Sequence, residues 1–222
     1  MDVGRWEKAV DAYLLPALGD GWRAAEGRLV RGPVGWTAQT VQPVPPLRRR
    51  PNFQVEVIVW LLAVPAADGH TCSRRLEGVF PEPDALAGYE PVMADIRDVV
   101  LREGIPFLDR YGDVEGLLAY RLEWEAQDAE RGLTDPDIRA AEELAYLHVI
   151  RGDWDAALAA AALAEEAGEL NRSRPHPIAW EDEILERVRA VIALGPDGAR
   201  EALARNAATT AAALSLPYSM PR

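Results

Sequence analysis

The chain has 222 residues, 49% hydrophobic and 27% charged, with 36 acidic against 24 basic side chains and a formal net charge of -12. That profile belongs to a folded globule of one large or two small domains with room for a sizeable core, and excludes a disordered chain. The negative excess speaks against nucleic-acid binding through the bulk surface, and the single cysteine, Cys72, excludes an intramolecular disulfide or a cysteine-rich metal site.

No run reaches the roughly 20 apolar residues that cross a bilayer, and the start, MDVGRWEKAVDAYL, lacks the pattern of a signal peptide. The expectation is a cytoplasmic protein. Trp6, Val10, Tyr13 or Leu14, and Ala17 recur at helical spacing, predicting a first helix interrupted or ended near Pro16 and stopped by Gly19 and Gly21. Short extended pieces follow on both sides of Gly27, then an alternating strand from Val34 to Val44. Pro43 to Pro51 carries four prolines and Arg48, Arg49 and Arg50, a loop that no sheet interior accepts.

Asn52 to Val64, NFQVEVIVWLLAV, is the organising stretch. Phe53, Val55, Val57 and Val59 alternate with Gln54, Glu56 and Ile58 before the run becomes wholly apolar, which predicts a central strand; a buried apolar helix is the rival. A fourth strand is expected over Cys72 to Phe80. One helix and four strands without crossover helices predict an antiparallel meander packed on the first helix.

Beyond Pro81-Glu82-Pro83 the pattern turns helical. Val92, Ile96, Val99 and Val100 mark a helix that Gly104 and Pro106 should end, with Phe107, Leu108 and Tyr111 as an apolar link. Asp113 can cap the next helix. From Glu115 through Glu143 nine acidic residues accompany three arginines; we read them as a solvated face around a Gln127 to Asp137 loop, with docking of a basic partner as the alternative. Thr134-Asp135-Pro136-Asp137 is a helix start, and two helices then meet at Gly152-Asp153. Two more are expected over Pro177 to Leu194 and Pro196 to Leu214, the last alanine-rich and suited to capping the stack.

Residues 138–168 resemble one tetratricopeptide hairpin, through Leu144, Ala145, Gly152, Trp154, Ala157, Ala161 and Ala164; His148 and Glu169 depart from its pattern. The resemblance implies paired helices that work by stacking. More loosely, Gly21-Trp22, Gly27 to Arg31, Phe53 to Val59 and Ile105-Pro106-Phe107-Leu108 resemble a family of uncharacterised bacterial domains of unknown function. Related groups include proteins that neutralise toxins of neighbouring genes, so this resemblance implies an inhibitory role.

Reactive chemistry is thinly signalled. His70, His148 and His176 lie too far apart in the chain to form a metal motif, and His70-Thr71-Cys72 lacks the spacing of a thiol-imidazole couple. Glu123 and Glu125 fall on different sides of a helix, and no glycine loop is set to cradle phosphate. Periodicity gives Trp6, Trp60, Trp154 and Trp180 core roles. Trp22 and Trp36, with Arg48, Arg49, Arg50 and Glu56, are the candidate ligand- or partner-binding residues, an aromatic platform near a basic loop.

The expectation is an α+β fold: an N-terminal helix with a four-stranded, mostly antiparallel sheet over residues 1–111, then a helical layer with a tetratricopeptide-like hairpin over 112–222. We expect a non-enzymatic protein-interaction or inhibitory module without cofactor or metal, binding a protein, basic in character, and neither nucleic acid nor membrane. The alternatives are a small-molecule-binding protein or hydrolase with a pocket between sheet and helices, and a homodimer subunit joined by an apolar patch.

Overall fold

The computed structural model describes residues 2–44, 52–65, 71–133 and 135–219. The chain opens with α1 (Val3–Ala9), capped by Asp2, whose carboxylate accepts the Arg5 N–H at 3.1 Å. Pro16 does not end this helix. The helix widens over Val10–Leu14, where the N–H of Leu15 donates to the Val10 carbonyl, and resumes as α2 (Leu15–Leu18). In an α-helix a proline ring collides with the carbonyl four residues back, and a wider turn moves that carbonyl aside.

The same device returns at the second proline. There α3 (Tyr89–Val99) widens over Val100–Gly104 and continues as α4 (Ile105–Tyr111) through Pro106. Val10–Leu18 and Val100–Leu108 share a pattern: valine, four residues, leucine or isoleucine, proline, and leucine two further on. The helix end expected at Gly104 and the apolar link after it are therefore corrected to one continued helix. Gly104 serves the close approach to the sheet, since a Cβ there would lie 3.0 Å from Val57 Cγ1.

The sheet has six strands among the described residues, not four: β1 (Trp22–Ala25), β2 (Arg28–Arg31), β3 (Thr37–Val44), β4 (Asn52–Leu61), β5 (Cys72–Arg75) and β6 (Phe80–Pro81). Two corrections account for the difference. The pieces around Gly27 are long enough to pair with each other as a hairpin, Trp22 opposite Arg31. The strand expected over Cys72 to Phe80 is broken, because β4 advances from Phe53 to Glu56 while its partner advances from Arg75 to Phe80, and Gly78 at φ 113° takes up the excess. All pairings are antiparallel, in the order β1-β2-β3-β4-β5 with β6 also on β4.

Eight-residue pairing of β3 with β4, from Thr37↔Leu61 to Val44↔Gln54, excludes the helical rival for this stretch. Phe53, Val55, Val57, Val59 and Leu61 face the main core, where Trp6 meets Phe53 edge-on at 5.5 Å between ring centroids. Leu62, Ala63 and Val64 leave the strand yet stay buried. The opposite face carries Val30, Ala38 and Leu62, covered by Ala207 and Ala211.

Five helices follow: α5 (Val114–Glu130), α6 (Ile138–Arg151), α7 (Trp154–Ser173), α8 (Ala179–Ile192) and α9 (Gly195–Ala213). Asp113, Asp137 and Asp153 cap α5, α6 and α7. The alanine-rich α9 caps the helical stack through Ala199 and Leu203 and also covers the second sheet face through Ala207 and Ala211, tied by Thr210 Oγ1 donating to the Val64 carbonyl at 3.0 Å. The main apolar core runs without interruption from Trp6 to Leu203, across the boundary at Gly112. Asn171 is fully buried and joins α7 to the next loop, donating to the Ile178 carbonyl at 3.0 Å and accepting its N–H at 2.8 Å.

The α4–α5 corner sets the direction of everything that protrudes. A Cβ on Gly116 would lie 2.4 Å from the Arg110 carbonyl oxygen and 2.7 Å from Tyr111 Cα, both backbone. Gly116→Ala is expected to destabilise the fold by about 1–3 kcal/mol. Urea unfolding checks this; an unchanged midpoint would contradict the tight corner.

Candidate functional site

The residues singled out as a binding platform do not form one site. Trp22 is half-buried on β1 with the Arg31 guanidinium 5.9 Å from its ring, and Arg31 is itself engaged by Asp109 at 2.5 Å and Gln39 at 3.2 Å. Strand register puts Trp22 on the face of Arg31 and Val59, and Glu56 on the opposite face, where it accepts from Ser73 Oγ at 2.9 Å. Trp36 packs against both apolar clusters, with the Arg200 guanidinium 5.8 Å from its ring. Arg48, Arg49 and Arg50 lie outside the described residues, as does His70.

Of the tryptophans given core roles, Trp6 is fully buried, whereas Trp180 is 41% exposed under the Arg139 guanidinium at 4.4 Å. The buried Nδ1 of His148 has no hydrogen-bond partner among the described residues, with the Asp153 carboxylate 4.0 Å away. Burial lowers the affinity of this imidazole for a proton.

The acidic run from Glu115 to Glu143 is where the structure departs most from a uniformly solvated face. Its last two members are interior. Glu142, only 1% exposed, receives a two-pronged contact from Arg187, Nε to Oε1 at 3.0 Å and Nη2 to Oε2 at 3.3 Å, joining α6 to α8. Burial raises the neighbouring Tyr146 hydroxyl, with Glu142 adding to the effect. Glu143 takes the Arg121 guanidinium of α5, which also donates to the Thr71 carbonyl at 3.0 Å. Burial pushes the Glu143 carboxyl up to about 8, with Arg121 pulling against it. Beside them Cys72 is buried and its thiol is pushed up to about 12 by the same loss of water, against the pull of Arg121.

The middle of the run is the reverse. The helix α5 buries Gly116, Leu117 and Leu118 and nothing beyond them, and its second half overhangs the bundle, so that from Glu125 to Arg131 only Asp128 is even half-buried. The loop expected from Gln127 is still helix as far as Glu130. An aromatic ladder leads out to it: Phe107 to Tyr111 at 5.1 Å, Tyr111 to Tyr120 at 5.2 Å, and Tyr120 to Trp124 at 6.2 Å between centroids. Glu123 secures the ladder, accepting from Tyr111 Oη at 2.8 Å and Arg110 Nη2 at 2.6 Å, and these donors hold its carboxyl below the usual range. Trp124 at the outer end is 43% exposed, and Leu122 is 51% exposed.

Nothing in the reading of single residues had marked Trp124, Leu122, Arg121 or Arg187. The available signal was the loss of apolar periodicity after Leu118 in a segment that keeps helix-forming residues. Among the described residues there is no group of three or more His, Cys, Asp or Glu able to hold a metal ion, and no helix long and apolar enough to cross a membrane. No family model, curated protein or solved structure matches the chain.

Proposed function

We propose that the chain is a non-enzymatic, cytoplasmic protein-binding module, inhibitory in kind, that engages a basic partner protein through the overhanging half of α5. The observation that carries this reading is Trp124, an exposed tryptophan held at the end of an aromatic ladder rooted in the core. A large side chain fixed before binding loses little freedom on docking, which is the character of an interface anchor. Six acids and one arginine between Glu123 and Asp137 add long-range attraction for a basic surface. In this reading α6 and α7 are a tetratricopeptide-like pair that supports the overhang from behind, and the family likeness of the first half accords with an inhibitory role.

The test compares tagged protein with its Trp124→Ser variant in native extract. The unsubstituted chain is expected to retain one stoichiometric protein, and the variant to lose it, with affinity weakened by about 2–4 kcal/mol. Its thermal midpoint should fall only slightly, because Trp124 contributes to the fold only through its outer contact with Tyr120. Recovery of a defined metabolite and no protein would overturn the proposal.

A further inference from the structure

The overhang also has a shape and a charge pattern on the side away from Trp124. We infer that the partner segment it fits is a basic amphipathic helix laid along α5, an inference that rests on the protein-binding role proposed above. Leu122, Ala126 and Ala129 are spaced four and three apart, so they form one stripe on α5, and all three are exposed. The stripe ends in an ordered cap. Gly132, at φ 76°, turns the chain so that its N–H donates to the Ala129 carbonyl at 3.0 Å and that of Leu133 to the Asp128 carbonyl at 2.9 Å. Leu133, 62% exposed, is therefore held by backbone hydrogen bonds at the end of the helix.

Two glutamates border the stripe. At 100° per residue Glu125 stands roughly 60° to one side of Leu122 and Glu130 roughly 80° to the other. Both are exposed, and among the described residues neither is ion-paired, whereas Glu123 is committed to Arg110 and Tyr111 and Asp128 to Arg131 at 3.5 Å. An apolar seam bordered on both sides by carboxylates outside any ion pair among the described residues, with the Arg121 charge acting on Glu125, is complementary to a helix with leucines on one face and lysine or arginine on its shoulders. A basic surface lacking the apolar face would leave Leu122 in water. An acidic one would meet repulsion along both borders.

The experiment titrates fluorescein-labelled peptides into the full chain and reads anisotropy. The probes are an amphipathic Lys/Leu helix, a scrambled peptide of the same composition, and the corresponding Glu/Leu helix. Binding is expected for the Lys/Leu helix alone, weakened about tenfold or more by Leu122→Ser, by Glu125→Gln with Glu130→Gln, and by raising salt from about 50 to about 300 mM. Glu90→Gln with Glu201→Gln, exposed acids elsewhere, should leave it unchanged. Absence of Lys/Leu binding, equal binding of the scrambled peptide, or indifference to the Glu125 and Glu130 substitutions would overturn the inference. If Trp124→Ser still abolishes capture of the natural partner in that event, the docking role of the overhang stands and only the basic helix falls.

Discussion

Native Cys72 should alkylate about a thousandfold more slowly than the same thiol in the urea-unfolded chain at pH near 8. The thiolate is the reactive form, and burial raises the thiol from 9.0 to about 12, which removes three decades of thiolate across the neutral and mildly alkaline range. Access compounds the effect, since Cys72 is 2% exposed. Timed iodoacetamide labelling read by intact mass checks it. Comparable native and unfolded rates would mean a thiolate in contact with solvent beside Arg121 and Glu143, and would favour the hydrolase alternative.

Arg187→Met should cost about 3 kcal/mol of stability, while Glu142→Leu combined with Arg187→Met recovers part of the loss, the buried Tyr146 hydroxyl being left without either partner. The single substitution leaves the Glu142 carboxylate, at 1% exposure, without the guanidinium that neutralises it in a two-pronged contact. The double substitution removes both charges and lets leucine and methionine pack where α6 meets α8. Part of the Arg187 side chain reaches solvent, 29% by area, which keeps the expected cost at the lower end for a broken buried pair. Equilibrium urea unfolding of the two variants checks it. A single variant as stable as the parent would place Glu142 in water.

The β4 strand was legible because Phe53, Val55, Val57 and Val59 alternate strictly, and a period of two admits one face toward a core. The hairpin at Gly27 was not, since two four-residue strands give too few alternations to separate them from a single bent piece. Pro16 suggested an interruption or end of the first helix, and Gly104 with Pro106 an end of the later one, on the ground that proline breaks an α-helix; wide turns before both prolines remove that conflict, and the first helix stops at Gly19 as expected. Trp180 obeyed helical spacing and still lies at the surface, because spacing assigns a face and not the neighbour that covers it. Of the five helices after Gly112, α6 and α7 start at the caps Asp137 and Asp153, α5 starts at Asp113 but runs on past its last buried residue, and α8 and α9 start without a side-chain cap.

The candidate site was harder to see, for a reason that lies in charge. Net acidity from Glu115 to Glu143 is the same whether a glutamate faces water or an arginine two helices away, so composition could not divide the run. Glu142 and Glu143 sit among Ala141, Leu144, Ala145 and Leu147, all buried, in a helix whose circumference is nearly all interior. Glu125 and Glu130 sit on a helix whose second half buries nothing. Only the positions of Arg121 and Arg187 in space distinguish inward from outward acids.

That division is most directly measured by carbodiimide footprinting of the carboxylates, read by peptide mass, in the purified chain and again in native extract. Glu125 and Glu130 should label rapidly in the purified chain and become protected in extract, while Glu142 and Glu143 label slowly in both. Rapid labelling of Glu142 and Glu143, or labelling of α5 that extract leaves unchanged, would contradict an acidic run that is part internal tie and part docking surface.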